Sequence, residues 1–336
     1  MDLDLRLNFD VIKYSINILQ YNTKLQTLNI PQKVKKDIVI EDFRYFSNFL
    51  NIKISLSDLR ALSLGINKID ESFDEKVLSS YRSVNELILS PIIERQDFLS
   101  VTTLMRINKL LTEKVFELWE SGKIRIKEFP YQNKFDIWEM DNLVSDDLVM
   151  DQINTLSKFY FDDNIPQFIK IPVIGFNLFR LKPFSVFNDM TIIVILKMLL
   201  LKEGIIDCIS LMDIFYNNVN DLNPADMTMD KWGISLMSKI SSTIENLYLY
   251  VSNFINLNHR KIVSDIDLKI LTIREKEAFF YLIEHKIITR REYAKVFNVS
   301  AMTAFRDLDH MRRSNIISQF GTGRGVKYTI QERFLL

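Results

Sequence analysis

The chain has 336 residues, 47% of them hydrophobic and 26% charged, with 43 basic side chains balancing 43 acidic ones. That length suits two or three domains, each able to bury a core without covalent staples. A single cysteine, Cys208, excludes an intrachain disulfide and a cysteine-based zinc site. Such cysteine usage fits a reducing, cytoplasmic setting, and the acidic start, MDLDLRLNFD, has no signal-peptide core. Of eight glycines, three (Gly321, Gly323, Gly325) cluster near the end. Glycine-rich phosphate loops are therefore absent from the first 320 residues. The histidines are His259, His285 and His310, so histidine chemistry is excluded upstream of them.

In chain order, apolar spacing predicts helices over Val11–Leu28, Glu75–Leu89, Asp97–Ser121, Asp146–Phe161, Asn188–Glu203 and Asp230–Ile255. Asp97 is a candidate N-cap and Gly122 a stop for the third run, whose apolar face includes Leu104, Leu111, Val115, Leu118 and Trp119. The longest apolar run, Met190 to Leu201, is broken by Lys197 and falls short of the ~18 residues of a membrane span. A charged stretch follows the last helix and reads as a linker over 259–270. The tail beyond it, Leu271–Leu336, carries twelve Lys/Arg against seven Asp/Glu, so a net +5 there is offset by −5 in the body.

The tail has its own pattern. Arg274–His285 predicts a helix with Ala278, Phe279, Leu282 and Ile283 on one face. Thr289 caps a second helix, Arg290–Phe297, and Ser300 caps a third, Ala301–Arg313, buried through Ala304, Leu308 and Met311. Two strands, Ile316–Phe320 and Val326–Ile330, flank the glycine-rich tip. Helix–turn–helix followed by a hairpin is the winged-helix order, whose third helix enters the DNA major groove. The residues placed to contact DNA are Ser300, Thr303, Phe305, Arg306, Arg312, Arg313, Arg324 and Lys327. Ordinary solvated charges on a protein-binding module fit the same pattern.

The segment FRLKPFSVFNDMTIIVILKMLLLKEG (Phe179–Gly204) resembles the Fic family signature, HPFxDGNGRxxR followed by a long apolar helix. Four further stretches resemble that family in the same order across residues 75–336: YRSVNELI from Tyr81, INKLLTEKVFELWESGKIR from Ile107, MTMDKWGISLMSKISSTIENL from Met227, and the GTGRGVKY wing from Gly321. The resemblance implies a mainly α-helical Fic-like domain over 75–258 with a C-terminal winged helix-turn-helix over 271–336. Residues 1–74 form an N-terminal helical region.

Set on that signature, Lys182 stands at the histidine, Val186 at the acidic metal ligand, Phe187 and Asp189 at the two glycines, Met190 at the first arginine and Ile193 at the second; Pro183, Phe184 and Asn188 match. A lysine of ordinary pKa, about 10.4, is a poor base at pH 7 unless burial lowers it. Valine cannot ligate Mg²⁺, and Phe187 and Asp189 add bulk and negative charge where phosphate would dock. The resemblance thus implies a catalytically degenerate site that needs no cofactor or metal. Lys182 as the base of an AMPylation-like transferase is the alternative, and an antitoxin-like interaction module is another. The family's inhibitory helix has no clean match; Ile54–Gly65 is nearest, with Asp58-Leu59 where its Glu-Gly or Glu-Asn would fall. Ile124–Trp138 occupies the place of the family's target-docking flap, and its pattern suits a small β-hairpin or a plain surface loop equally. The expected partners are double-stranded DNA, a protein, or a second copy of the chain, with no membrane.

Overall fold

The computed structural model describes residues 9–28, 30–63, 65, 72–92, 98–117, 120–205, 207, 209–265, 271–321 and 326–331, without the side chains of residues 256–265, Phe280, Ile283 and Glu284. It is mainly helical and divides into two compact units, Met1–Tyr248 and Leu249–Leu336. Among the described residues, no helix is long and apolar enough to cross a membrane.

The first unit opens with α1 (Phe9–Thr27), α2 (Gln32–Phe49) and α3 (Leu56–Ser63), of which only α1 is anticipated by periodicity. α4 (Phe73–Leu89) starts at a capping box in which Ser72 and Glu75 satisfy each other's backbone N–H groups. α5 (Val101–Thr112) is capped by Ser100, whose hydroxyl accepts from the Thr103 N–H. The helix expected to reach Ser121 ends at Thr112, and Asp97, Leu118 and Trp119 lie outside the described residues. The local reason is a close return of the chain. Gly122, at φ +68°, comes so near α5 that a Cβ there would meet Lys109 Cβ at 2.6 Å. Its N–H donates to Asn108 Oδ1 at 3.0 Å.

A 3₁₀ turn at Asp146–Leu148 leads into α6 (Val149–Tyr160). α7 (Gln167–Leu181) and α8 (Asn188–Lys202) then form the centre of the unit, apolar on nearly every face and buried over most of their length. Periodicity misses α7 because no polar stripe marks it and Pro172 and Gly175 interrupt it. Gly175 is where α7 meets its neighbours, since a Cβ there would stand 2.9 Å from Leu196 and 3.0 Å from Trp232. α9 (Leu211–Asn217) and the long α10 (Met229–Asp265) follow. α10 runs through Asp265, so most of the stretch read as a linker is helix.

The second unit contains α11 (Ile273–His285), α12 (Arg290–Val296) and α13 (Ala301–Arg313) with a three-stranded sheet. Thr272 and Thr289 form capping boxes with Glu275 and Glu292, and Ser300 caps α13 as expected. The strands β2 (Ile317–Phe320) and β3 (Lys327–Ile330) pair antiparallel, with Ser318 opposite Thr329. A strand too short for periodicity to reveal, β1 (Ile288–Thr289), pairs antiparallel with β3 to give the order β1-β3-β2. Ala278, Phe279, Leu282, Ala304, Leu308 and Met311 meet in the core as anticipated. Residues 322–325 of the tip, Arg324 included, lie outside the described residues.

Candidate functional site

The loop between α7 and α8 carries the signature positions, and its geometry follows from two strained turns. Lys182 ends α7 in the left-handed conformation at φ 45°, and Phe187 precedes α8 at φ 62°. Left-handed backbone at non-glycine residues persists only where surrounding contacts hold it. At Phe187 the hold is aromatic: its ring lies edge-on to Phe46, Phe116 and Phe135, with centroids 6.0–6.4 Å away. At the loop itself the hold is polar. Asn188 closes it, accepting from the Phe184 N–H at 2.7 Å and donating to the Phe184 carbonyl at 3.0 Å. Asn108 donates to the Val186 carbonyl and the Thr191 hydroxyl.

Lys182 is fully buried. Its Nζ donates to Asp189 Oδ1 at 2.5 Å and lies 3.3 Å from Asp136 Oδ2, and both carboxylates are also buried. Asp189 Oδ2 accepts from the N–H groups of Ile137 and Trp138 at 2.6 and 2.9 Å. Asp136 Oδ1 accepts from the Asp189 N–H at 3.2 Å, and its Oδ2 accepts from the Tyr131 hydroxyl at 2.9 Å. Thus a carboxylate from the 131–138 segment occupies the N-terminal end of α8, where exposed N–H groups and the helix dipole favour an anion. Burial and the neighbouring Asp136 charge push the Asp189 carboxyl up to about 6, against the opposing pull of Lys182. Burial and Asp136 likewise raise the Tyr131 phenol above its ordinary range.

The 124–138 segment is no hairpin. Its only ladder contacts are isolated bridges, Ile124 to Phe184 and Ile126 to Phe129. Its backbone groups instead pair with the signature loop: Arg125 N–H with the Pro183 carbonyl, Gln132 N–H with the Ser185 carbonyl. These bonds use the edge that a docked peptide strand would need. Arg125, itself buried, donates to the carbonyls of Leu181, Lys182 and Val144 and pairs with Asp146. It therefore caps the C-terminal end of α7, where partial negative charge collects.

Val186, Phe187, Met190 and Ile193 are all buried among apolar neighbours. The sequence places an Asp189 charge against incoming phosphate; in the structure that charge faces Lys182 and two backbone N–H groups. A cavity of about 430 Å³ borders the outer side of the segment, lined by residues that include Asn48, Phe49, Phe135, Asp136 and Tyr216. None of the positions from Lys182 to Ile193 lines it. Among the described residues, no three His, Cys, Asp or Glu side chains converge as metal ligands would. With no oxygen at Val186 and an internal carboxylate at the α8 N-terminus, these residues do not fit a Mg²⁺-nucleotide. Asp136, and with it its partner Tyr131, escapes sequence reasoning because its contact with Asp189 spans about fifty residues, although both lie in the stretch singled out as a flap.

In the second unit, α13 turns Ala301, Met302, Phe305 and Arg306 outward, with Met302 61% and Phe305 43% exposed. The Ser300 and Thr303 side chains are tied together at the cap, with their hydroxyls 2.9 Å apart. The Arg290 guanidinium lies 6.0 Å from the Phe305 ring centroid, a neighbour that linear spacing does not reveal. Lys327 is exposed on β3. Arg312 and Arg313 both pair with Asp309 at 2.8 Å, away from the start of the helix. Behind this face, Asp307 accepts from Arg274 at 2.6 and 3.0 Å and from the Tyr293 hydroxyl at 2.9 Å, joining α11, α12 and α13.

The arrangement of α4, α5, α7, α8 and α10 around the signature loop defines a Fic-like fold. A Fic family protein from Desulfovibrio desulfuricans G20 superposes with a TM-score of 0.58 at 12% identity, covering 97% of each chain. Fic-1 (residues 134–508) from C. elegans superposes with a TM-score of 0.51 at 13% identity, covering 72% of this chain and 71% of that one. No family model matches the sequence, and no curated protein matches it. At these identities the likeness is one of fold.

Proposed function

We propose that this chain is a catalytically degenerate Fic-like protein that acts by binding, as a DNA-binding transcriptional regulator whose C-terminal unit is a winged helix. The observation that carries the reading is the outward face of α13: an apolar edge, Met302 and Phe305, beside Arg306 and Arg290, with Lys327 exposed on β3. Arginine and lysine beside such an edge can clamp phosphates while the apolar groups meet thymine methyls. Against group transfer stand the burial of Lys182 between two carboxylates and the carboxylate already at the α8 N-terminus.

Fluorescence anisotropy of labelled duplexes tests the proposal. The full chain should prefer A/T-rich duplexes, and Phe305→Ala should weaken specific more than random binding. Replacing Arg324 and Lys327 together by alanine should weaken every duplex and flatten the salt slope by about 1–2. Absence of retention on DNA at low salt would overturn the proposal and favour a protein partner.

A further inference from the structure

The outward face of α1 is unlike that of a helix left in water. Phe9, Ile12, Ile16 and Leu19 follow one another at intervals of three, four and three residues and are 78, 41, 58 and 45% exposed. These are the a and d positions of one and a half heptads. The other side of the same helix, Val11, Ile18 and Leu25, is buried in the first unit. Along the exposed face Lys13 is the lone charge; the remaining positions are Gln20, Thr23, Gln26 and Thr27. α2, next in the chain, shows what solvent selects: its exposed residues include Lys33, Lys35, Lys36, Asp37 and Arg44.

We propose that α1 is a dimerisation helix whose Phe9–Ile12–Ile16–Leu19 seam packs in parallel against the same seam of a second copy. Three observations select that occupant. A stripe spaced for a two-stranded coil is self-complementary, so one surface supplies both sides of a two-fold interface. The four side chains leave roughly 400 Å² of apolar surface in water, taking about 200 Å² for a fully exposed large side chain. Two copies would thus bury roughly 800 Å² of apolar surface besides their polar flanks, the size of a weak, concentration-dependent pair. Charge selects the orientation. An antiparallel pairing with Phe9 opposite Leu19 would set the two Lys13 ammonium groups side by side near the axis. A parallel pairing places them on opposite edges of the seam and brings Gln20 against Ser15 of the other copy.

Sedimentation velocity of the full chain over a wide concentration series tests this directly. The wild type should sediment as twice its 39.7 kDa mass. Ile12→Lys with Ile16→Lys should be monomeric with unchanged far-UV circular dichroism, and its melting temperature should lose the dependence on protein concentration that the wild type shows. A wild type that stays monomeric at millimolar concentration, or a double variant that stays dimeric, would overturn the proposal. In a Cys208→Ser background, Ile16→Cys should form a disulfide dimer on mild oxidation, since facing a positions are close in a parallel pair. Cross-linking only between Phe9→Cys and Leu19→Cys copies would overturn the parallel arrangement.

Discussion

Substituting Asp136 by asparagine removes one of two carboxylates that share the buried Lys182 ammonium. The amide oxygen can keep the Asp189 N–H, while the amide nitrogen replaces the oxygen that faces the Tyr131 hydroxyl and Lys182, so the change removes both a charge and an acceptor; only the charge makes the loss depend on the protonation of Asp189. In the wild type, burial first and Asp136 second push the Asp189 carboxyl from 3.8 to about 6 in the folded state. A folded pKa above the unfolded one favours folding below 3.8, and this stabilisation is lost as pH rises through 6. Over the whole range it amounts to about 3 kcal/mol, of which about 1.4 is regained between pH 7.5 and pH 5. Without the Asp136 charge, burial still raises the Asp189 carboxyl and Lys182 still opposes it, so part of that gain should vanish. Urea unfolding at a series of pH values measures it. Tryptophan fluorescence is a selective probe, because Trp119, Trp138 and Trp232 all lie in Met1–Tyr248. The difference, wild type minus Asp136→Asn, should rise on acidification from an onset near pH 6, by a part of that ~1.4 kcal/mol at pH 5. A difference independent of pH would show that Asp136 does not hold up the Asp189 carboxyl.

Arg125→Ala should lower the stability of the first unit by about 3–5 kcal/mol, because it strands the carbonyls of Leu181, Lys182 and Val144 with the Asp146 charge. A loss below about 1 kcal/mol in urea titration would show that water replaces the guanidinium there. Asp307→Asn should cost about 1–3 kcal/mol in the second unit, the half-exposed Arg274 limiting the effect. Hydrogen exchange in Ala301–Arg313 should quicken in that variant, and unchanged exchange would count against the network's role.

Much of the second unit was legible because its signals are local. Thr289, Ser300 and their partners announce helix starts within three residues, and Ala304, Leu308 and Met311 lie at helical spacing. β1 was not, since a two-residue strand has no period. In the first unit the order of elements follows from resemblance, whereas α7 hides behind uniform burial and α2 and α3 behind charge-rich or short sequence. At the signature loop, the replaced residues are plain from the sequence but their positions are not. Asp189 reads as a repulsive charge toward phosphate until Lys182 is seen beside it. Phe187 reads as bulk in the crevice until its ring is found among Phe46, Phe116 and Phe135. Both outcomes depend on Asp136 and the segment that brings it, a contact that chain distance conceals.

Asp136 of the same chain already accepts from the Asp189 N–H at the start of α8, and a nucleotide phosphate is therefore expected to find no place there. Isothermal calorimetry with ATP and Mg²⁺ on the full chain addresses it most directly. No micromolar binding is expected, and a saturable micromolar isotherm that Asp189→Ala or Lys182→Ala abolishes would contradict this.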